Sequence, residues 1–398
     1  MNFKIEPNKC CGCGACEIIC TKDAIHLEKD EYGFEIAKID SEKCVKCGAC
    51  KKVCPFENVS GKKQVVHAYA ASGKNEKIIA NCSSGGIFYI IANRILENGG
   101  VVCGTVLDND FNAMVVSTDN HSDLERMLGS KYVQSTMNGV YSEIKINLKA
   151  GKKVLFCGTP CQVAALHNMF SDNENLILID IVCHGTPNNS LFRDYIKLLE
   201  RKKKTKITKF VFRDKRYGQD TKGSYTTING RLCPIHSKDS SYYSLFLKGL
   251  LFRDSCYNCP YATENRVGDI SICDFWGVDI EEPEVYTFLK DQNVKAISGV
   301  VVNSEQGKRT LNSVANELYI KPVKYNSIKK NNPQLNMPFN LDENSRTEVL
   351  NLYLNGGFDA VDRYYYKKYG VSIIISKLSR LFPKKLVKKI VDWRDRVK

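Results

Sequence analysis

The sequence contains no run approaching the roughly 18 consecutive apolar residues that a membrane-spanning helix needs. Its opening residues, Met1-Asn-Phe-Lys-Ile-Glu, lack the apolar core of a secretory signal. A cytoplasmic, reducing location is therefore expected, and this changes the meaning of its 18 cysteines. In an oxidising compartment they would suggest a disulfide scaffold; in a reducing one they persist as metal ligands or small buried side chains. No G-x-G-x-x-G follows a predicted strand, so an ordinary nicotinamide-binding Rossmann site has no support. Acidic residues are scarce near the C-terminal end. Residues 367–398 carry eleven Lys/Arg against Asp392 and Asp395, which places +9 of the formal charge of +14 there. No nucleic-acid-binding module accompanies that charge, and nucleic acid is not an expected partner.

What is present is a repeated spacing. Cys10, Cys13, Cys16 and Cys20 follow C-x2-C-x2-C-x3-C, and Cys44, Cys47, Cys50 and Cys54 repeat it, with Pro55 after the second copy. Four thiols this close are best satisfied together by a soft iron–sulfide cube, and the pattern is that of a bacterial-type ferredoxin with two 4Fe–4S clusters. The fourth cysteine of each run ligates the other cluster in such modules. One cube is thus expected on Cys10, Cys13, Cys16 and Cys54, the other on Cys44, Cys47, Cys50 and Cys20. Gly12, Gly14 and Gly48 let the loops approach the sulfides closely. Residues 24–27 and 34–37 read as short strands joined by a polar turn. Thr21 stands where a proline is usual, and Cys11 is an extra thiol. The competing reading, two four-cysteine zinc sites, is disfavoured because zinc ligands usually come as separated pairs.

At 398 residues the chain has room for this module and a larger unit. The expected divisions are 1–57 for the ferredoxin, 58–66 for a polar linker, 67–150 and 151–330 for two parts of a larger domain, and 331–398 for a C-terminal extension. The fold class is α/β: an α+β ferredoxin-like module followed by a larger mixed α/β domain. In the larger domain apolar runs alternate with helical periods. Strands are expected at 65–71, 101–106, 113–117, 153–156, 176–182, 269–275, 296–302 and 318–323, with helices at 87–96, 141–148 and 161–170. The basic run 201–204 reads as a solvated helix end. From about residue 326 the chain turns polar and loses clear strands.

A second set of cysteines is dispersed. Cys161 lies in Gly158-Thr159-Pro160-Cys161-Gln162, Cys183 in Val182-Cys183-His184-Gly185, and Cys256 and Cys259 form a C-x2-C pair. Cys161 and Cys183 each follow a buried strand, and parallel neighbours deliver such positions to one sheet edge. The later pair can complete a four-thiolate set. It also fits a zinc knuckle or a redox dithiol, and any of these cysteines fits a buried small hydrophobe.

These stretches, together with Gly268-Asp269-Ile270-Ser271-Ile272-Cys273-Asp274-Phe275-Trp276-Gly277, Ser83-Ser84-Gly85-Gly86 and Gly129-Ser130-Lys131-Tyr132-Val133-Gln134-Ser135, resemble the coenzyme F420 hydrogenase/dehydrogenase beta-subunit family over roughly residues 65–330. The resemblance implies FAD beside a third 4Fe–4S cluster on Cys161, Cys183, Cys256 and Cys259, with Cys157 left as an inert strand thiol. A flavin has its own rationale, since cubes pass one electron at a time whereas hydride exchange moves two. Ser83, Ser84, Gly85 and Gly86 precede a helix and suit an anion such as the FAD pyrophosphate, although an ordinary N-cap reads the same way. Ser130, Lys131, Tyr132, Gln134 and Asp274 are further candidate flavin contacts, with Trp276 either beside them or in the core. His184 is the candidate for proton delivery, against a structural role.

The expected protein is a cytoplasmic iron–sulfur flavoprotein oxidoreductase exchanging hydride with an organic substrate such as coenzyme F420, and electrons with a redox partner protein or soluble ferredoxin. Two alternatives are an electron-transfer subunit with no substrate of its own and a zinc-stabilised scaffold without redox activity. After Pro383, Leu386, Val387, Ile390 and Val391 interleave with lysines as a basic amphipathic helix, suited to a protein surface or to peripheral membrane contact.

Overall fold

The computed structural model describes residues 6–137, 139–171, 173–217 and 222–380. In the N-terminal module, Gly14 (φ 74°) and Gly48 (φ 77°) take left-handed conformations and each launches a short helix, Ala15–Ile18 and Ala49–Val53. A side chain at either glycine would strain the turn that places the next cysteine, which explains the same residue in both copies. Strands β1 (Ile25–Lys29) and β2 (Glu35–Ile39) pair antiparallel with Ile25 opposite Ile39, one residue later than the sequence suggests.

The larger domain is built on an eight-stranded mixed sheet. Its strands are β3 (His67–Gly73), β4 (Val101–Leu107), β5 (Ala113–Thr118), β6 (Val154–Gly158), β7 (Leu176–Ile181), β11 (Ile270–Asp274), β12 (Ser298–Val302) and β13 (Leu318–Pro322). They run in the order β13-β3-β12-β11-β7-β6-β4-β5. The middle pairs β4/β6, β6/β7 and β7/β11 are parallel, and antiparallel strands complete both sides. Period-two alternation sends Val101, Cys103, Val154, Phe156, Leu176 and Leu178 into one core with the helices Val140–Lys149 and Pro160–Phe170. Val102, Val106, Leu155, Ile177 and Ile179 enter the opposite core with the helix Ile87–Glu97. Both faces are covered, so the central strands read as unbroken apolar runs.

Two features depart from expectation. Strands β8 (Ile207–Val211), β9 (Lys222–Thr227) and β10 (Leu232–His236) form a separate antiparallel sheet. Their lysines and threonines obscure the alternation, yet Ile207, Phe210, Tyr225 and Ile235 reach an aromatic core with Phe192, Tyr195 and Tyr242. The polar stretch after residue 326 contains a helical segment, Glu343–Ser379, broken by non-helical backbone at Gly356 and Gly357. It packs along the helix Asn189–Lys203, where Tyr353 Oη donates to Asp194 at 2.8 Å. Arg201 and Lys202, expected to be solvated, pair there with Asp359 and Asp362. The basic amphipathic segment after Pro383 lies outside the described residues.

One buried ion pair secures the sheet edge. Arg266 is 1% exposed and Asp180 is fully buried; they meet at 2.6 Å. Arg266 also donates to the carbonyls of Tyr261 and Ile181, while Asp180 accepts from Gly268 N. The loop carrying Cys259 is thereby fastened to the end of β7. Removing one partner from such a pair costs about 3–5 kcal/mol, because the other charge stays buried. Arg266→Met is therefore expected to lower the thermal unfolding midpoint markedly under anaerobic conditions, and an unchanged midpoint would contradict this role.

Candidate redox centre

The cysteines of the N-terminal module surround a partly open cavity of about 490 Å³ lined by Cys10, Cys13, Cys16, Cys50 and Cys54 with Gly12 and Gly14. Burial raises the Cys16 thiol strongly, reinforced by the charges of Cys13, Cys10, Cys54 and Cys50. Burial likewise raises Cys50, whose thiol neighbours are Cys47 and Cys44. Cys20 Sγ accepts from Ala24 N at 3.3 Å. Thiols held up by burial do not ionise alone near neutrality; metal must displace their protons, coupling loading to pH and folding.

A second cavity, of about 590 Å³, is lined by Cys161, Cys183, Cys256 and Cys259, with Cys11, His184, Thr186 and Arg253. The parallel register puts Gly158 opposite Asp180, so β6 and β7 end together and release Cys161 and Cys183 at the same edge. Cys161 lies in the first turn of the helix Pro160–Phe170, while Cys256 closes a one-turn 3-10 helix, Asp254–Cys256. Burial raises Cys183 strongly, reinforced by Cys256, Cys161 and Cys259, and raises Cys259 to about 12, reinforced by Cys161 and Cys256. A hydrogen bond from Cys11 is the main influence drawing Cys161 down to about 7. Thr159 Oγ1 lies 3.3 Å from Cys161 Sγ and Thr186 Oγ1 lies 3.8 Å from Cys256 Sγ, positions from which hydroxyls support thiolate charge. Among the described residues no three His, Cys, Asp or Glu side chains converge as ligands of one metal ion. The four thiols share the lining of that one cavity.

The candidate flavin residues divide between two places. Ser83 and Ser130 share a hydrogen bond of 2.7 Å, and Ser84 O accepts from Lys215 Nζ at 2.6 Å. Gly85 has no room for a side chain, since a Cβ would lie 2.5 Å from Ala71 O. Gly86, at φ 78°, precedes the helix Ile87–Glu97 and, like any glycine, offers it no side-chain cap. Asp274 pairs with Arg213, whose guanidinium lies over the half-exposed Trp276 ring at 5.3 Å. Lys131 directs its ammonium to the carbonyls of Arg126, Met127 and Leu128 at the end of the helix His121–Met127.

Gln134 and His184 belong with the thiols. Gln134 Nε2 donates to Cys11 O at 2.7 Å, tying the two modules together. His184 is enclosed by Phe246, Phe252 and Phe339, with Nε2 3.4 Å from Leu247 O, and burial lowers its pKa. Tyr132 connects the two places: it stacks on Phe246 at 4.5 Å, and its hydroxyl neighbours include Arg213, Asp274 and Ser130.

Sequence reasoning passed over Arg213, Lys215 and Arg253, and treated Cys11 only as a surplus thiol. Arg253 stands three residues before Cys256, a signal of proximity without any indication of direction. Arg213 and Lys215 lie just beyond β8, a strand whose alternation the lysines conceal.

Two tight thiol sets and a dispersed third on a doubly covered sheet define an iron–sulfur protein of the electron-transfer class. Residues 9–58 match the 4Fe-4S dicluster domain, and residues 151–327 match the C terminus of the coenzyme F420 hydrogenase/dehydrogenase beta subunit. The chain thus joins a two-cluster ferredoxin to a domain of the latter family. It is similar to a subunit of the F(420)H(2) dehydrogenase of Methanosarcina mazei, with 23% identity over 289 residues, 68% of this chain and 78% of the relative. Among solved structures it aligns with a chain of the F420-reducing [NiFe] hydrogenase complex of Methanosarcina barkeri at 14% identity and a TM-score of 0.46, covering 74% of this chain and 94% of that one. No helix among the described residues is long and apolar enough to cross a membrane.

The lysines of the polar site titrate unusually low. Burial lowers Lys215 from 10.5 to about 8 and Lys131 to about 7. A lysine with a depressed folded pKa opposes folding below that pKa, and the penalty fades as pH climbs toward the unfolded value. Wild type should therefore gain stability relative to Lys215→Met as pH rises from about 8 toward 10.5, by up to about 1.4 kcal/mol per unit. Urea unfolding of both proteins across that range checks the sign.

Proposed function

We propose that the protein is an FAD-containing iron–sulfur oxidoreductase, in which a third 4Fe–4S cluster links the ferredoxin clusters to a flavin that exchanges hydride with an organic substrate such as coenzyme F420. The observation that carries this reading is the meeting of Cys161, Cys183, Cys256 and Cys259 around one cavity that also receives Cys11 from the first cysteine loop. A set of thiols touching the ferredoxin module has the place of a relay. The Ser83–Ser130 pair, the helix start after Gly86 and the cations Arg213 and Lys215 fit a flavin nucleotide: hydroxyls and a helix N-terminus for its phosphates and positive charge for its ring. When bound, the flavin would convert single electrons into hydride equivalents.

The chain's own residues supply the surroundings. Ser83, Ser84, Gly85 and Gly86 would take the phosphates; Ser130, Tyr132, Asp274 and Arg213 would border the ring. Tyr132 and Phe246 fill the space toward the thiols and exclude water. His184, neutral at pH 7 because burial lowers its pKa, would accept a proton on the thiol side of that layer. The family of the matched domain and the name of the Methanosarcina mazei relative favour a deazaflavin as the organic substrate. A redox partner, soluble ferredoxin or protein subunit, would meet the N-terminal clusters.

Anaerobically purified protein is expected to carry about 12 iron atoms and about 12 acid-labile sulfides, as three cubes require. FAD should be recovered on denaturation. Cys183→Ser should retain about 8 iron atoms and its flavin, yet lose electron transfer from reduced coenzyme F420 to an artificial dye acceptor. Wild type that never reduces the dye from any hydride donor, while holding a partner oxidoreductase tightly, would favour the electron-transfer subunit. Unchanged iron content in Cys183→Ser would remove the third cluster.

A further inference from the structure

Arg253 is 3% exposed, yet all three of its side-chain hydrogen bonds end on uncharged oxygens. Nη1 donates to Cys10 O at 2.6 Å, Nη2 to Glu35 O at 3.0 Å and Nε to Gln134 Oε1 at 2.9 Å. Three other shielded arginines of the larger domain hold carboxylates: Arg213 pairs with Asp274, Arg266 with Asp180 and Arg346 with Asp254. Burying a permanent cation without a counter-charge costs several kcal/mol. The guanidinium therefore needs an anion that the carboxylates of the described residues do not supply.

Its position identifies that anion. The guanidinium presses on the first cysteine loop so closely that a Cβ on Gly12 would lie 2.6 Å from Nη2. On its other side Arg253 lines the cavity of Cys161, Cys183, Cys256 and Cys259. Its charge favours the thiolates of both Cys161 and Cys256. Its backbone N–H donates to Thr186 O at 3.1 Å, in the loop that carries Cys183. One fixed cation thus stands between two groups of cluster ligands and touches neither Cys44 nor Cys47.

We propose that Arg253 is the shared counter-charge of two clusters, the one on Cys10, Cys13, Cys16 and Cys54 and the dispersed third one, and that it raises both reduction potentials together. The inference rests on the third-cluster reading given above. A cube gains one electron on reduction and its ligand set becomes more negative by one charge; the iron changes valence and no bond to Arg253 forms or breaks. A fixed cation stabilises the more negative state more, so both couples move upward. Placing both under one charge moves both potentials in the same direction and leaves the step between them unchanged. Arg253 acts through the clusters and is a positioning residue, not a catalytic one.

The test is an EPR-monitored potentiometric titration of the full-length holoprotein, with Cys183→Ser assigning the third cluster's signal. Iron content is measured on every sample. At a potential where the third cluster is half reduced in wild type, Arg253→Gln should show a reduced-to-oxidised ratio about tenfold lower, about 59 mV for a one-electron couple. The Cys10-containing cluster should move the same way, and the cluster on Cys44, Cys47, Cys50 and Cys20 should stay in place. Arg253→Lys, which keeps the charge and loses the fork, should remain within about threefold of wild type. Full iron with unshifted potentials in Arg253→Gln would overturn the proposal. So would an Arg253→Lys shift as large as that of the glutamine variant; if Arg253→Gln does not load, a fully iron-loaded Arg253→Lys whose ratio falls about tenfold overturns the proposal on its own. Wild type holding only about 8 iron atoms would instead refute the third cluster itself, a separable failure.

Discussion

Thiols that burial keeps protonated can hold charge only when iron takes the place of their protons, and this constraint organises the whole protein. Desolvation and neighbouring thiols raise Cys16 in one group and Cys183 and Cys259 in another. Thiolates so placed would repel strongly; in the ferredoxin module shared cationic iron turns that repulsion into cohesion. The N-terminal module has short helices and a single hairpin, and cluster formation supplies much of the stability its small core lacks. Its docking surface obeys the same logic. Tyr141 Oη donates to Cys13 O at 2.9 Å, Gln134 Nε2 to Cys11 O at 2.7 Å and Tyr261 Oη to Pro55 O at 2.5 Å. The larger domain thus grips the backbone of the cysteine loops, leaving the sulfurs free for ligation.

The larger domain meets the opposite requirement. Four cysteines scattered over about a hundred residues meet only on a rigid support. Parallel β6 and β7 provide two fixed exits, and the Arg266–Asp180 pair holds the loop of the remaining two cysteines against them. A third restraint comes from the C-terminal helical segment, where Arg346 binds Phe252 O and Asp254 just ahead of Cys256. Helix, strand end and buried charge converge on one short stretch of chain.

How far the sequence discloses this depends on the range of each interaction. The ferredoxin loops are local, so spacing alone names their ligands, and Gly14 and Gly48 carry the backbone requirement in plain view. The buried strands are legible because both faces are covered and the apolar runs are continuous. Strands β8 to β10 are not, because lysines and threonines occupy their exposed positions and only a few aromatics reach the core. Polarity hides the C-terminal helices, whose anchoring residues are charged partners such as Asp359 and Asp362, with mates more than 150 positions away. Gln134 shows a further limit. Its neighbour Ser130 meets Ser83, but four residues later the chain has turned to the other module, and no periodicity records that turn.

The two halves of the candidate centre are joined through aromatic matter, and this arrangement has a chemical consequence. His184, Phe246, Tyr132 and the Arg213–Asp274 pair form a continuous sequence from the thiol cavity to the serine–lysine site. A layer of rings separates two charged regions without admitting water, so each region keeps its own electrostatics. Lys131 and Lys215 are lowered by burial on one side of the layer, and the thiols are raised by burial on the other. Ions and protons cross such a layer poorly, whereas electrons tunnel through it. That asymmetry arises from packing between Tyr132 and Phe246 with no added element of structure.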